Sequence, residues 1–116
     1  MTPARAQSLL WVAQRASAAV LALAVVIHLA TMIVAVRGGL TAAEILARTR
    51  GSVAWAAFYA AFVIAVAIHA PIGLRTVLAE WRGAPSRSGD RAMIALALLL
   101  LIVGLRAVVA VTWIPQ

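Results

Sequence analysis

Apolar residues run almost unbroken along this chain in three stretches, from Leu9 to Val36, from Ser52 to Leu78 and from Ala92 to Ile114. Crossing the ~30 Å hydrocarbon core of a bilayer takes ~20 residues of helix, so each stretch is long enough to span with some tilt. The pattern predicts an all-α integral membrane protein, a three-helix bundle in which residues 1–116 form a single membrane-anchor domain. Two polar interruptions separate the spans. Residues Arg37 to Gly51 contain Thr41 followed three positions later by Glu44, a capping-box signature, and predict a short interfacial helix. Residues Trp81 to Asp90 are rich in Gly, Ser, Pro and Arg and predict a plain loop. A cleaved signal peptide does not suit the first stretch, which is too long and is followed by two more spans.

Composition agrees with the pattern. Apolar residues make up 66% of the chain and charged residues 11%, with a mean hydropathy of +1.06, which leaves too little polar surface to cover a water-facing globule. The formal charge of +7 is carried entirely by arginine. Arg5, Arg15, Arg75, Arg82, Arg87 and Arg91 fall on one side of the expected membrane, and Arg37, Arg48 and Arg50 on the other. Six against three predicts a cytoplasmic N-terminus and a periplasmic C-terminus by the positive-inside rule. Trp11 and Trp81 then mark the inner interface, and Trp55 and Trp113 the outer one. Basic residues divided between two faces form no single patch, which argues against nucleic acid as a partner. The chain has no Cys, so it holds no disulfide, thiolate metal site or iron-sulfur cluster of its own. A bias to Ala and Arg without Lys suggests a GC-rich bacterial genome, and so a multi-pass protein of the bacterial inner membrane, surrounded by membrane lipid.

Function rests on the few polar groups at membrane depth, which are expensive to bury there. They are His28, His69 and Arg106, with Arg15, Ser17 and Arg75 near the inner ends. No Asp or Glu lies inside the expected spans. Arg106 is seven residues before Trp113, ~10 Å along a helix. It either takes a counter-anion from another chain, a lipid or a cofactor such as a haem propionate, or snorkels to the outer headgroups. The two histidines are the residues best able to ligate a transition metal or haem iron. By residue count His28 lies ~13 Å and His69 ~24 Å below the outer surface, a difference of ~10 Å, too large for both to ligate one iron. As haem ligands, each would be half of a pair completed by a partner subunit. Gly73, four residues from His69 on the same face, leaves room for a flat macrocycle. The plainer alternative is a histidine that only hydrogen-bonds across a helix interface.

The segment His69-Ala-Pro-Ile-Gly73-Leu-Arg75-Thr-Val-Leu-Ala-Glu80-Trp81 resembles the second-helix motif of the cytochrome b membrane-anchor subunits of succinate dehydrogenase and fumarate reductase (complex II). That motif is a His, three residues, Gly, an apolar residue, Arg, then an acidic residue at the helix end. Gln14-Arg15-Ala16-Ser17-Ala18 is similar to the family's first-helix His-Arg-x-Ser-Gly motif, with Gln14 where His is usual and Ala18 where Gly is usual. Thr76 stands where a second His often follows the Arg. The resemblance implies that His69 is an axial haem b ligand, and that Arg15 and Ser17 lie by the quinone site. Arg75 and Arg106 would approach haem propionates. The additional His28 resembles the two-haem members, so the chain looks like half of an anchor whose other half is a second small membrane-anchor subunit or a second copy of this chain. A flavoprotein subunit would oxidise the dicarboxylate, an iron-sulfur subunit would pass the electrons on, and this chain would hold haem, bind quinone and dock the soluble subunits. The alternatives are a non-catalytic scaffold membrane protein and the anchor cytochrome b of another respiratory dehydrogenase. A proton-coupled exporter would need a titratable carboxylate inside the membrane.

Overall fold

A computed structural model describes residues 3–83 and 85–113, and among them there are four helices and no strand. They are α1 (Pro3–Arg37), α2 (Ala42–Thr49), α3 (Val53–Arg82) and α4 (Arg87–Thr112). Three of them, α1, α3 and α4, are long and apolar enough to cross a membrane. The expected end of the third span at Ile114 lies outside the described residues.

Each boundary has a local cause. The first helix ends in a Schellman motif: Gly39 takes φ +66°, the Gly39 amide donates to the Val36 carbonyl and the Leu40 amide to the Ala35 carbonyl. Only glycine adopts that backbone at no steric cost. The predicted interfacial helix is α2. Thr41 caps it, its hydroxyl accepting from the Glu44 amide at 3.3 Å while the Glu44 carboxylate accepts from the Thr41 amide at 2.7 Å. The Thr41 amide and hydroxyl, both donating to this carboxylate, hold it below its ordinary pKa.

The expected loop from Trp81 to Asp90 is a correction. α3 continues to Arg82, α4 starts at Arg87, and the connection contracts to residues 83–86. Ser86 caps α4 by accepting from the Gly89 amide at 3.1 Å, and Asp90 in the first turn suits the positive end of the helix dipole. Cap chemistry thus outweighs the turn-like composition of this stretch.

The three long helices form an open row. α3 packs against both α1 and α4, which scarcely touch one another. The seams are built from small residues: Ser17 and Ala24 on α1, Ala65, Ala67 and Pro71 on α3, and Val108 on α4 are buried. Small side chains let membrane helices approach closely, where van der Waals packing is the main attraction. Gly104 carries this furthest, since a Cβ there would meet the Val63 Cγ1 at 2.5 Å. At the far end α2 is tied to the end of α4, with the Thr49 hydroxyl donating to the Val111 carbonyl at 2.7 Å and the Gly51 amide to the Thr112 carbonyl at 2.8 Å.

So little is buried that the accessible surface is 8375 Å², against about 6,000 Å² for a folded soluble monomer of this mass. Much of the excess is apolar: Leu23, Val26 and Val34 on α1 and Ile102 and Val103 on α4 are all more than half exposed. Water would not tolerate such a surface, whereas lipid and partner helices suit it.

A candidate haem and quinone groove

The start of α1, the end of α3 and the start of α4 share one end of the molecule, here termed the basic end for its six arginines. There α1 and α3 enclose an open groove of about 570 Å³. Its wall includes Gln14 and Arg15 from α1, and His69, Gly73 and Arg75 from α3. Residues 14 and 15 come from one turn of α1, while 69, 73 and 76 follow the i, i+4, i+7 spacing that puts them on one face of α3. Three of the residues singled out in the sequence, Arg15, His69 and Arg75, therefore meet in one place.

The groove has unusual polar chemistry. His69 Nδ1 is buried with no hydrogen-bond partner, and so is Gln14 Oε1. Buried polar atoms without partners are rare and costly, and here two of them lie in one groove. Gly73 is close to the same spot, since a Cβ added to it would stand 3.3 Å from Gln14 Nε2. Pro71, inside α3 and fully buried, has no amide to give the Ala67 carbonyl, so the helix ladder is interrupted beside His69. Neighbouring helices make such a break tolerable at membrane depth.

Two guanidinium groups flank the groove and no carboxylate lines it. Arg15 stacks over the Trp11 ring at 5.4 Å. Arg75 donates through Nε to Asp90 Oδ1 at 2.6 Å, the one ion pair among the described residues. Asp90 belongs to the first turn of α4, so a carboxylate does lie within a spanning helix, at its end. Since Asp90 engages Nε, the terminal nitrogens of Arg75 make no hydrogen bond among the described residues.

Ser17 is elsewhere. Only 5% exposed, it does not line the groove, and its hydroxyl donates to the Ala13 carbonyl at 2.7 Å. This is the back-bonding a helical Ser adopts when no outside partner competes.

The second histidine is at the other end. His28 meets the Tyr59 ring edge-on at 6.2 Å, and Tyr59 stacks on Trp55 at 5.5 Å with Phe58 alongside. Trp55, in the first turn of α3, belongs to this aromatic cluster. An apolar cavity of about 330 Å³ borders His28 between α1, α2 and α3. Tyr59 precedes His69 by ten residues on α3, a rise of ~15 Å along the helix, so the two histidines lie at different depths. Arg106 is exposed on the outer face of α4 among Ile102, Leu105 and Val109, with no partner among the described residues, and belongs to neither region.

The basic-end groove fits a flat macrocycle with an axial imidazole and acidic substituents: an accessible histidine, a glycine one turn along on the same face, and two arginines. Among the described residues no three His, Cys, Asp or Glu side chains cluster, and His69 is the one residue of these types on the groove wall. Gln14, Asp90 and Tyr59 are the residues that sequence reasoning passed over as functional. Asp90 was detectable as an acid three residues into a Ser-capped helix, but its pairing with Arg75 depends on how α3 and α4 meet.

No curated protein and no solved structure matches the chain. One family does, the succinate dehydrogenase/fumarate reductase transmembrane subunit, over residues 1–108. That match runs through α1, α2 and α3 and into the last turns of α4. As a multi-pass membrane protein matched over residues 1–108, the chain belongs to the succinate dehydrogenase/fumarate reductase transmembrane subunit family.

Proposed function

We propose that this membrane-anchor subunit holds haem b at the basic-end groove, with His69 as the axial ligand, and binds quinone beside it. The observation that supports this best is the conjunction of His69, Gly73, Arg15 and Arg75 around one groove. Haem bound there supplies one-electron transfer between the soluble subunits and the quinone pool. The residues of the chain hold and tune that site. His69 offers Nε2 to the iron, Gly73 leaves the adjoining face of α3 free, and the terminal nitrogens of Arg75 serve a propionate. Arg15 donates to a quinone carbonyl oxygen as negative charge grows on it during reduction. Ser17, its proton committed to Ala13, has only lone pairs to offer, so Arg15 is the direct donor in this reading.

Family membership implies association with the soluble complex II subunits. We place the iron-sulfur subunit, and the flavoprotein subunit beyond it, at the basic end, which faces the cytoplasm of a bacterial cell by the arginine asymmetry. A second small anchor subunit or a second copy of this chain, seated on the open side of the helix row, would complete the hold on that haem. His28 is the candidate for a second, outer haem, a reading favoured by the apolar cavity of about 330 Å³ beside it. Arg106 would then meet a propionate of that haem across the subunit interface.

The test is a reduced-minus-oxidised optical spectrum with haem stoichiometry on the complex purified through this subunit from its native membrane. His69→Ala is expected to remove one b-type haem, and His28→Ala to remove a different one if there are two. A native complex with no haem would end both ligand assignments and leave a haem-free anchor or scaffold.

A further inference from the structure

The two buried orphan atoms in the groove are chemically complementary. Gln14 Oε1 can only accept a hydrogen bond, and His69 Nδ1 can donate one when that nitrogen carries the imidazole proton. Both atoms are inaccessible to solvent and without partners, and both belong to side chains that line one groove between α1 and α3. The Gln14 amide is already beside α3, at 3.3 Å from where a Gly73 Cβ would stand, one helical turn from His69. The torsions that would bring the atoms together, χ2 of His and χ3 of Gln, are soft and broad.

We propose that Gln14 is a positioning residue for His69, its side-chain carbonyl accepting the Nδ1 proton. This bond satisfies both orphan atoms at once and selects one of the two neutral tautomers. With the proton held on Nδ1, the Nε2 lone pair is free to face the groove, the state a neutral imidazole needs in order to ligate a metal. An acceptor on the far nitrogen also raises the basicity of the ligating one, which favours the more oxidised metal. The position next to Arg15, where the family resemblance has a histidine, thus carries in this chain an amide that cannot titrate.

The inference rests on His69 being the ligand, and two measurements separate its failure from failure of that assignment. The first uses the full-length chain labelled with 15N-histidine in lipid bilayers without haem, with the His69 signals assigned by their loss in His69→Asn. Wild type is expected to show His69 as the Nδ1-protonated tautomer. Gln14→Leu, of similar volume but with no acceptor, is expected to shift it towards the Nε2-protonated form, and Gln14→Glu to keep it on Nδ1. The second is a potentiometric titration of the haem in the purified complex. Gln14→Leu is expected to raise the midpoint potential and Gln14→Glu to lower it. Should Gln14→Leu misassemble, Gln14→Glu alone still tests the bond, because it preserves length and strengthens the acceptor. An unchanged tautomer in Gln14→Leu, or an unchanged potential in Gln14→Glu, overturns the proposal. Absence of haem from the wild-type complex overturns the ligand assignment, while the tautomer experiment still decides the Gln14–His69 bond.

Discussion

His69 and His28 are the same residue type on neighbouring membrane helices, and their surroundings differ in polarity and in unmet hydrogen bonding. Around His69 the groove is open, a glycine replaces any bulky neighbour, two arginines bring positive charge and two buried polar atoms lack partners. Around His28 the nearest ring is Tyr59, met edge-on and itself stacked on Trp55, and the adjoining cavity is mostly apolar with Arg48 on its wall. The aromatic region already satisfies itself by packing, whereas the groove has polar demands that the chain alone does not meet. Such unmet demand is expected of a site completed by a ligand, and at the His28 end it is the cavity of about 330 Å³, not an unpartnered polar atom, that leaves room for one.

The sharpest way to break this comparison is to fill the groove. Gly73→Leu should remove the His69-dependent haem signal almost completely while leaving the helix content unchanged by circular dichroism, since a Cβ there meets only the flexible Gln14 amide within 4 Å and the rest of the side chain would enter the groove. Retained haem would show that the macrocycle does not lie on that face of α3. Next in size is a substitution that should not discriminate between the two regions. Gly104→Ala drives a Cβ into Val63, a branched side chain fixed on the facing helix, and overpacking of this kind costs ~1–3 kcal/mol. A lower unfolding midpoint in mild detergent, with both spectral regions affected alike, is the expected outcome.

Smaller effects separate the two ends. Asp90→Asn releases Arg75 at the basic end; the pair is partly exposed, at 26% and 46%, so stability should fall by no more than ~1 kcal/mol. The spectrum of the His69 haem should nevertheless shift while any His28-dependent band stays put. At the opposite end, Thr41→Ala removes the cap of α2 at ~1 kcal/mol and should quicken amide exchange in α2 without touching the groove.

Acidification gives the smallest change. The Glu44 carboxyl is held below its ordinary value by the two donors of Thr41. A depressed folded-state pKa means that this carboxylate stabilises α2 fully above its ordinary value and ceases to do so as pH falls through the lower one. Amide exchange at Thr41 should therefore quicken only in acid, below the ordinary range of a glutamate. Acceleration beginning near neutrality would point to another group.

Much of this protein was legible before any fold was known, but unevenly. Long charge-free runs identify the spanning helices because backbone groups inside a bilayer must pair within a helix or a closed barrel. Thr41 and Glu44 identified α2 because a capping box is a local contact over three residues. The spacing of His69 and Gly73 placed them on one face of α3 because helical geometry alone determines it. The same local reasoning failed at residues 87–90, where Gly, Ser and Arg suggested a loop and the Ser86 cap starts a helix instead.

What needed the tertiary structure is everything that joins different helices. The meeting of Arg15 and His69 in one groove depends on the register of α1 against α3. The Asp90 partner of Arg75 depends on how α3 and α4 pack, and the burial of Ser17 away from the groove on which face α1 turns inward. The sequence by itself determined the number of spans, the short capped helix and the residue types available for chemistry, because these follow from interactions within a few residues. Register between helices follows from the fit of small residues such as Gly104 against Val63, a property of two surfaces in contact that no single stretch of chain contains.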